Sequence, residues 1–277
     1  MTAPLLPLLL DGAQLDSFLP QPRHSSQPLL ILDTSSHESY ARHHIPGAIH
    51  IPPQSLQIGT PPAPGKIPAE EQLRALFSSV GLRPEHHVVA YDDEGGGWAG
   101  RLIWTLDVLG HHHSSYLDGG IVSWVNEGYA LETKVNKGIA SDFEVTINRA
   151  VIAEIDDILP RLGDSDFAVW DARSVQEYTG TKALAKRNGH IPGAINIDWL
   201  ELMDPQRNMR LIELQQLQQR LDQAGLSADK TIVTHCHSHH RSGLSYLAMK
   251  ILGYPDIKGY HGSWSEWGNR DDTPIEN

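Results

Sequence analysis

Short apolar runs alternate along the chain with longer stretches in which apolar residues recur every three or four positions. Leu30-Ile31-Leu32, Val88-Val89-Ala90, Ala168-Val169-Trp170 and Ile232-Val233 are continuous rather than alternating, the pattern of strands buried on both faces. Between them, Leu211, Leu214, Leu217 and Leu221 share one helical face and predict a helix over about 211–224. Leu244, Leu247, Ala248, Ile251 and Leu252 predict a second over 242–252, and a helix is expected to begin near Ser174. Further strands are expected at 167–170, Ala194–Ile197 and 231–235. Strands that alternate with helices imply an α/β fold, with a mostly parallel sheet covered by helices on both faces.

The pattern occurs twice. Leu30-Ile31-Leu32-Asp33-Thr34 matches Ala168-Val169-Trp170-Asp171-Ala172, and Glu38-Ser39-Tyr40 resembles Gln176-Glu177-Tyr178. His44-Ile45-Pro46-Gly47-Ala48-Ile49 recurs letter for letter at 190–195, Leu109-Gly110 matches Leu252-Gly253, and Gly119…Trp124 matches Gly262…Trp267. Such self-similarity marks two copies of one module. The expected division is 1–132, a linker at 133–147 built around the aperiodic polar stretch Thr133–Ser141, and 148–277. Because proline fixes φ and glycine permits a tight turn, the repeated His-Ile-Pro-Gly-Ala is expected to aim a strand into the sheet. Pro61–Gly65 and His111-His112-His113 read as loops, the latter solvated.

Composition narrows the function. The 277 residues are 40% hydrophobic and 20% charged, as in soluble globular proteins, and 34 acids against 22 Lys+Arg leave a net charge of −12. That balance argues against nucleic acid as a partner. The apolar start at Leu5–Leu10 has no preceding Lys or Arg and is broken by proline, so it reads as an entry strand or core segment rather than a signal peptide. No run is long enough to span a bilayer, and a cytoplasmic protein with no membrane partner is expected. A single cysteine excludes an internal disulfide and a Cys-based zinc site.

That cysteine lies in Thr234-His235-Cys236-His237-Ser238-His239-His240-Arg241-Ser242-Gly243, between a strand and a helix. Ligands of parallel α/β sheets bind at loops leaving the carboxyl ends of strands. The unpaired N–H groups and the positive end of the following helix favour an anion there. Together with Arg241 they favour thiolate, the reactive form of Cys236. His235, His237, His239 and His240 add donors, Ser238 completes the loop, and Arg241 is expected to pin it by pairing with an acid such as Asp171. A buried inert thiol and a metal site built from the histidines are the competing readings; no acid lies close in sequence to complete a metal set, so no metal or cofactor is expected. In the first copy, aligning Tyr91 with His235 puts Asp92 in place of Cys236, followed by Asp93 and Glu94, so that copy is expected to be silent and to repel anions.

These features resemble the two-domain rhodaneses, in particular bacterial members with histidines between Cys and Arg. The resemblance rests on the duplicated module, Asp171-Ala172-Arg173-Ser174, the loop Cys236–Arg241 and Gly262-Ser263-Trp264-Ser265-Glu266-Trp267-Gly268. It implies two tandem rhodanese-like domains and a sulfur transfer in which Cys236 takes the outer sulfur of thiosulfate, releases sulfite and yields the sulfur to cyanide, another thiol acceptor or a sulfur-acceptor protein. Many relatives carry arginine where Glu177 stands here. Donor binding is therefore expected to fall to Arg241, Arg173, Lys186 or Arg187, with Trp199 either a site wall or core packing. Preference for 3-mercaptopyruvate is one alternative, and a non-catalytic sulfur-binding module another. The phosphatases that share this fold place five residues between Cys and Arg. Here there are four, a tighter ring suited to one sulfur atom.

Overall fold

The computed structural model describes residues 6–19, 28–57 and 59–277. The first module contributes strands β1 (Leu9–Leu10), β2 (Leu29–Asp33), β3 (Ile49–His50), β4 (His87–Tyr91) and β5 (Ser114–Leu117), all parallel, in the order β1-β5-β4-β2-β3. The second repeats this with β6 (Ile152–Ala153), β7 (Phe167–Asp171), β8 (Ile195–Asn196), β11 (Thr231–His235) and β12 (Ile257–Tyr260), parallel in the order β6-β12-β11-β7-β8. An antiparallel ribbon of β9 (Met203–Asp204) and β10 (Arg210–Leu211) is added between β8 and β11. Helices span Val175–Tyr178, Leu214–Gln223 and Arg241–Ile251, within a few residues of their expected positions. Of the apolar start, Leu9–Leu10 forms the edge strand, while residues 1–5 lie outside the described residues.

Both faces of each sheet are buried, because successive strand residues point to opposite sides. Leu30, Leu32, Val88 and Ala90 enter one apolar cluster, whereas Ile31, Val89 and Tyr91 enter another. In the second sheet Ala168, Trp170 and Ile232 join the first of these clusters, and Phe167, Val169 and Val233 form a third. The largest core is thus shared by both modules. Its centre is the packing of the Gly97–Val108 helix on the Arg241–Ile251 helix, each of which follows the central strand of its module. The two helices meet at Gly100 and Gly243: a Cβ on Gly100 would run into the Gly243 carbonyl, and one on Gly243 would lie 2.5 Å from the Arg101 nitrogen. Asp107 joins the two at a second point, accepting from Tyr246 Oη at 3.0 Å and Lys250 Nζ at 2.5 Å.

The repeated His-Ile-Pro-Gly-Ala has the same geometry in each module. His44 and His190 stack on Tyr40 and Tyr178 with ring centres 3.9 and 3.7 Å apart. Gly47 and Gly193 take φ of +79° and +70°, which favours glycine, and their N–H groups donate to Glu132 and Glu276. Residues 133–148 hold no helix or strand, yet they are strapped to the first module. Asn136 donates to Glu132 and Ala48, Ser141 Oγ donates to Leu82, and Phe143 is buried in the shared core. The expectation of a solvated histidine triplet needs correction at His111, which is 6% exposed; only His112 stands well out.

Two expectations for stability follow. Burial pushes His87, His111 and His235 down to about 4. Their folded values lie below the unfolded 6.5, so the unfolded chain binds more protons between those limits. The stability is fully present above about 6.5 and is lost as pH falls toward 4, by about 1 kcal/mol for each histidine at pH 5.5. Denaturant midpoints at pH 7.5 and 5.5 check this. Gly100→Ala must separate two helix backbones and should cost about 1–3 kcal/mol, read as a lower thermal midpoint.

Candidate functional site

Strand β11 ends at His235, and the chain then closes a small ring before the Arg241–Ile251 helix begins. The ring is held from outside. Trp264 and Ser265 N–H groups donate to the carbonyls of Cys236 and His237, each at 3.0 Å, and the Cys236 N–H donates to Ser263 Oγ at 3.3 Å. At His239 the backbone turns through φ +56°, a left-handed conformation uncommon for residues other than glycine, and this drives the ring inward. His239 is fully buried edge-on to Trp104 at 4.6 Å, with Nδ1 on Ser242 Oγ at 2.8 Å.

Cys236 lies at the floor, 1% exposed. Burial alone would push its thiol up. The Arg241 charge and the Ser242 hydroxyl and N–H outweigh that and hold it below its ordinary value. Arg241 is fixed by two hydrogen bonds to Glu177, at 2.7 and 2.8 Å, in the planar two-point geometry a guanidinium favours. Burial opposes the Arg241 charge and the Glu177 carboxylate more than restores it, while Arg241 and Ser174 hold Glu177 down at about 2 in spite of its own burial. His235 faces inward, with Nδ1 3.1 Å from the Cys236 carbonyl and Nε2 3.5 Å from Asp171, and burial keeps it neutral.

The first module carries the same loop in a self-occupied form. Asp92 stands at the cysteine position, and its carboxylate accepts from the N–H groups of Glu94, Gly95 and Gly96 at 3.1, 3.1 and 2.9 Å, and from Ala99 at 2.9 Å. Burial and then Glu94 raise the Asp92 carboxyl to about 6, against those donors. The loop N–H groups are thus already taken by a carboxylate of the same loop. In the second module the N–H groups of His237, Ser238, His239 and His240 donate to no protein acceptor among the described residues.

The rhodanese-like domain model matches this chain twice, at residues 19–127 and 154–270. The chain belongs to the rhodanese-like domain family. A thiosulfate sulfurtransferase of Pseudomonas aeruginosa is 48% identical over 98% of this chain and 97% of its own. A 3-mercaptopyruvate sulfurtransferase of Escherichia coli is 30% identical over 88% of this chain and 87% of its own. Among solved structures, an anaerobic ergothioneine biosynthesis enzyme of Chlorobium limicola superposes with a TM-score of 0.88 at 20% identity, covering 98% of this chain and 70% of that one; at that identity the likeness speaks to fold alone.

The rhodanese loop gathers some of the expected residues and leaves others out. His237, Ser238, His240 and Arg241 form its open part, with Cys236 on the floor, whereas His235 and His239 are buried beneath it. Asp171 does not pair with Arg241. It holds Arg173 by a two-point contact at 2.6 and 2.9 Å. Arg173 is 1% exposed, donates also to the Gly189 carbonyl and lies over the Trp264 ring, so its Nε and Nη2 are taken within the fold. Arg187 is likewise engaged, with Thr273 and the Trp267 carbonyl, and Lys186 is exposed. Trp199 packs against the shared core, and its ring lies 5.7 Å from that of His240. Among the described residues no cluster of three or more His, Cys, Asp or Glu could hold a metal ion.

Three contributors were not foreseen, and all come from outside the loop. Glu177 is the Arg241 partner. Glu94 of the first module pairs with His240. Arg101, also of the first module, is fully buried with no carboxylate partner among the described residues. It donates to Leu56 and Gly65 carbonyls at 2.8 and 2.9 Å, and to the His239 carbonyl at 3.4 Å. Burial pushes it down to about 9, and the Cys236 thiolate opposes that. Pro61–Gly65 is therefore no idle loop, since Gly65 backs directly onto the Ser238 and His261 carbonyls.

Since the chain has one cysteine, its thiol titration is uncluttered. Replacing Arg241 by Met should raise the apparent thiol pKa by about one unit or more, read from thiolate ultraviolet absorbance against pH.

Proposed function

We propose that this chain is a thiosulfate sulfurtransferase that carries sulfane sulfur on Cys236. The Cys236 thiolate attacks the outer sulfur of thiosulfate, the S–S bond of the donor breaks, and sulfite leaves with the bonding pair. Cys236 is left with a terminal anionic sulfur. Cyanide then attacks that sulfur, thiocyanate leaves and the thiolate returns. Charge balances in both halves, three negative charges on each side of the first and two on each side of the second.

The observation that carries this reading is internal to the chain. Asp92 fills the N–H cradle of the first loop with a fixed carboxylate, whereas the second loop puts a thiolate at the same position beneath N–H groups that have no protein acceptor among the described residues. A terminal persulfide is the anion that would complete the second cradle, and preorganised donors aimed at such a charge need no rearrangement as it forms. Four residues between Cys236 and Arg241 leave room for one sulfur atom. Arg241, His237 and Ser238 form the rim that meets the donor, and Asp171 and Arg173 support it from below. Thiosulfate is preferred over 3-mercaptopyruvate in this reading, supported by the higher identity and fuller coverage of the Pseudomonas relative. The first module, up to 132, acts as a wall, joined through 133–147 to the catalytic module 148–277. We place the protein in the cytoplasm; no helix among the described residues is long and apolar enough to cross a membrane.

Incubation with thiosulfate should add the mass of one sulfur to the chain. Cyanide should remove it with release of thiocyanate, and Cys236→Ala should abolish the gain. A wild-type protein that gains no mass would sink the proposal. Arg241→Ala should slow thiosulfate-to-cyanide turnover by about tenfold or more, and unaltered kinetics would remove Arg241 from the reaction.

A further inference from the structure

The loop carries one imidazole that is neither buried nor idle. His240 lies at the start of the Arg241–Ile251 helix, four residues after Cys236, and its side chain is 22% exposed. Its ring stacks on Trp98 of the first module at 4.2 Å and is flanked by Trp199 of the second at 5.7 Å. Glu94, from the silent loop, takes its Nε2. A carboxylate can only accept, so that contact places a proton on Nε2; in the neutral ring the lone pair is then on Nδ1, which makes no hydrogen bond among the described residues. An oriented imidazole with a carboxylate behind it and one free basic nitrogen is the arrangement of a general base. Nothing in sulfur loading asks for one, because thiosulfate reaches Cys236 already ionised and carries no proton to remove.

We infer that the Glu94–His240 pair accepts the proton of a thiol that discharges the Cys236 persulfide, so that the enzyme is built for thiol acceptors as well as for anions such as cyanide. This rests on the persulfide reading above. The acceptor R–SH gives its proton to His240 Nδ1 as its sulfur bonds to the outer sulfur of the persulfide. The Cys236 S–S bond breaks, and its electron pair returns to the Cys236 thiolate. The product is R–S–S⁻, and the imidazolium, balanced by Glu94, later yields its proton to water. Total charge is −1 before and after, and no external oxidant or reductant is needed. A thiol with an ordinary pKa is only a few per cent ionised near pH 7, so a positioned base has a clear task. The two indoles make the flanks of the approach apolar, and Glu94 adds negative charge, so neutral thiols are favoured over anionic ones. The thiol can belong to a small molecule or to a protein.

The test uses single turnovers of the full chain. Protein loaded with thiosulfate and freed of excess donor is mixed at pH 7 with dithiothreitol, with reduced thioredoxin, or with sulfite, and loss of the extra sulfur is followed by mass. Sulfite attacks through a lone pair and reverses the loading step without a proton. For His240→Asn and for Glu94→Gln, the ratio of thiol to sulfite discharge rates should fall by about tenfold or more with both thiols. Gly97→Ala tests the geometry without removing either group, since its Cβ would lie 2.6 Å from Glu94 Oε1 and 2.7 Å from His240 Nε2. The displaced pair should show a smaller drop in the same ratio. Equal slowing with sulfite and with thiols would reduce the pair to a loop tether and overturn the proposal. Slowing with thioredoxin alone would make it a docking surface, and would overturn it equally. Failure to load sulfur would strike at Cys236 itself, and the loaded mass registers that separately.

Discussion

Two helices can approach to backbone contact only where neither carries a side chain, and here that condition is met at Gly100 and Gly243. Each helix follows the central strand of its own module and begins at its own copy of the loop. Pressing the two helices together therefore presses the two loops together. Arg101 reaches the His239 carbonyl, Glu94 and Trp98 reach His240, and Gln57 donates to the Ser238 carbonyl because of this one contact. The first module, with Asp92 where the second has Cys236, forms part of the wall and part of the charge balance of the second.

That balance is tight. Near the thiol, Arg173 is taken by Asp171, Arg241 by Glu177 and His240 by Glu94. Each pairing fixes a side chain, and the two arginine pairs also cancel the field those arginines would project toward an approaching anion. Arg101 has no carboxylate partner among the described residues, and it is buried. The chain as a whole carries −12, which adds a further opposing field. Attraction of a dianion must then come from short-range donors, the loop N–H groups and the outer edge of Arg241, rather than from long-range steering. The same arrangement serves the thiolate well, because fixed donors and a paired arginine stabilise it without exposing it.

Sequence alone reveals much of this fold and only half of the site, and the reason is geometric. Leu30–Leu32 and Ala168–Trp170 announce buried parallel strands because the signal is local, and the repeated His-Ile-Pro-Gly-Ala announces a turn because proline and glycine act within a few residues. Cys236 and Arg241 lie on one loop, so their spacing is visible directly. Glu177 is 64 residues from Arg241, Arg101 138 from His239, and Glu94 146 from His240. Such pairs are set by how strands order in a sheet and how modules dock, which no local period encodes. The misassigned residues follow the same logic. Arg173 looked like a ligand for the donor because it is basic and near the motif, but Asp171, two residues back on the end of β7, claims it first. His235 and His239 were expected to add donors to the loop, yet a strand end and a left-handed turn direct both inward.

Asp92 offered the one legible clue to what the loop binds, though its meaning lay in geometry. Read as a letter, it is a lost nucleophile beside further acids. Seen with its four N–H donors, it is an anion held where the other copy, in the proposed reaction, would hold sulfur. Gene-encoded carboxylate and exchangeable sulfur are two ways of satisfying one cradle. The silent loop needs an extra residue to do so: Asp92 and Gly100 are eight apart, Cys236 and Gly243 seven. A fixed side chain must fold back over its own donors, whereas a thiolate in the shorter ring leaves the same space to a cargo that can leave. Duplication thus yields one loop whose N–H groups are filled by its own carboxylate and one whose N–H groups, in the proposed reaction, would be filled only in turnover.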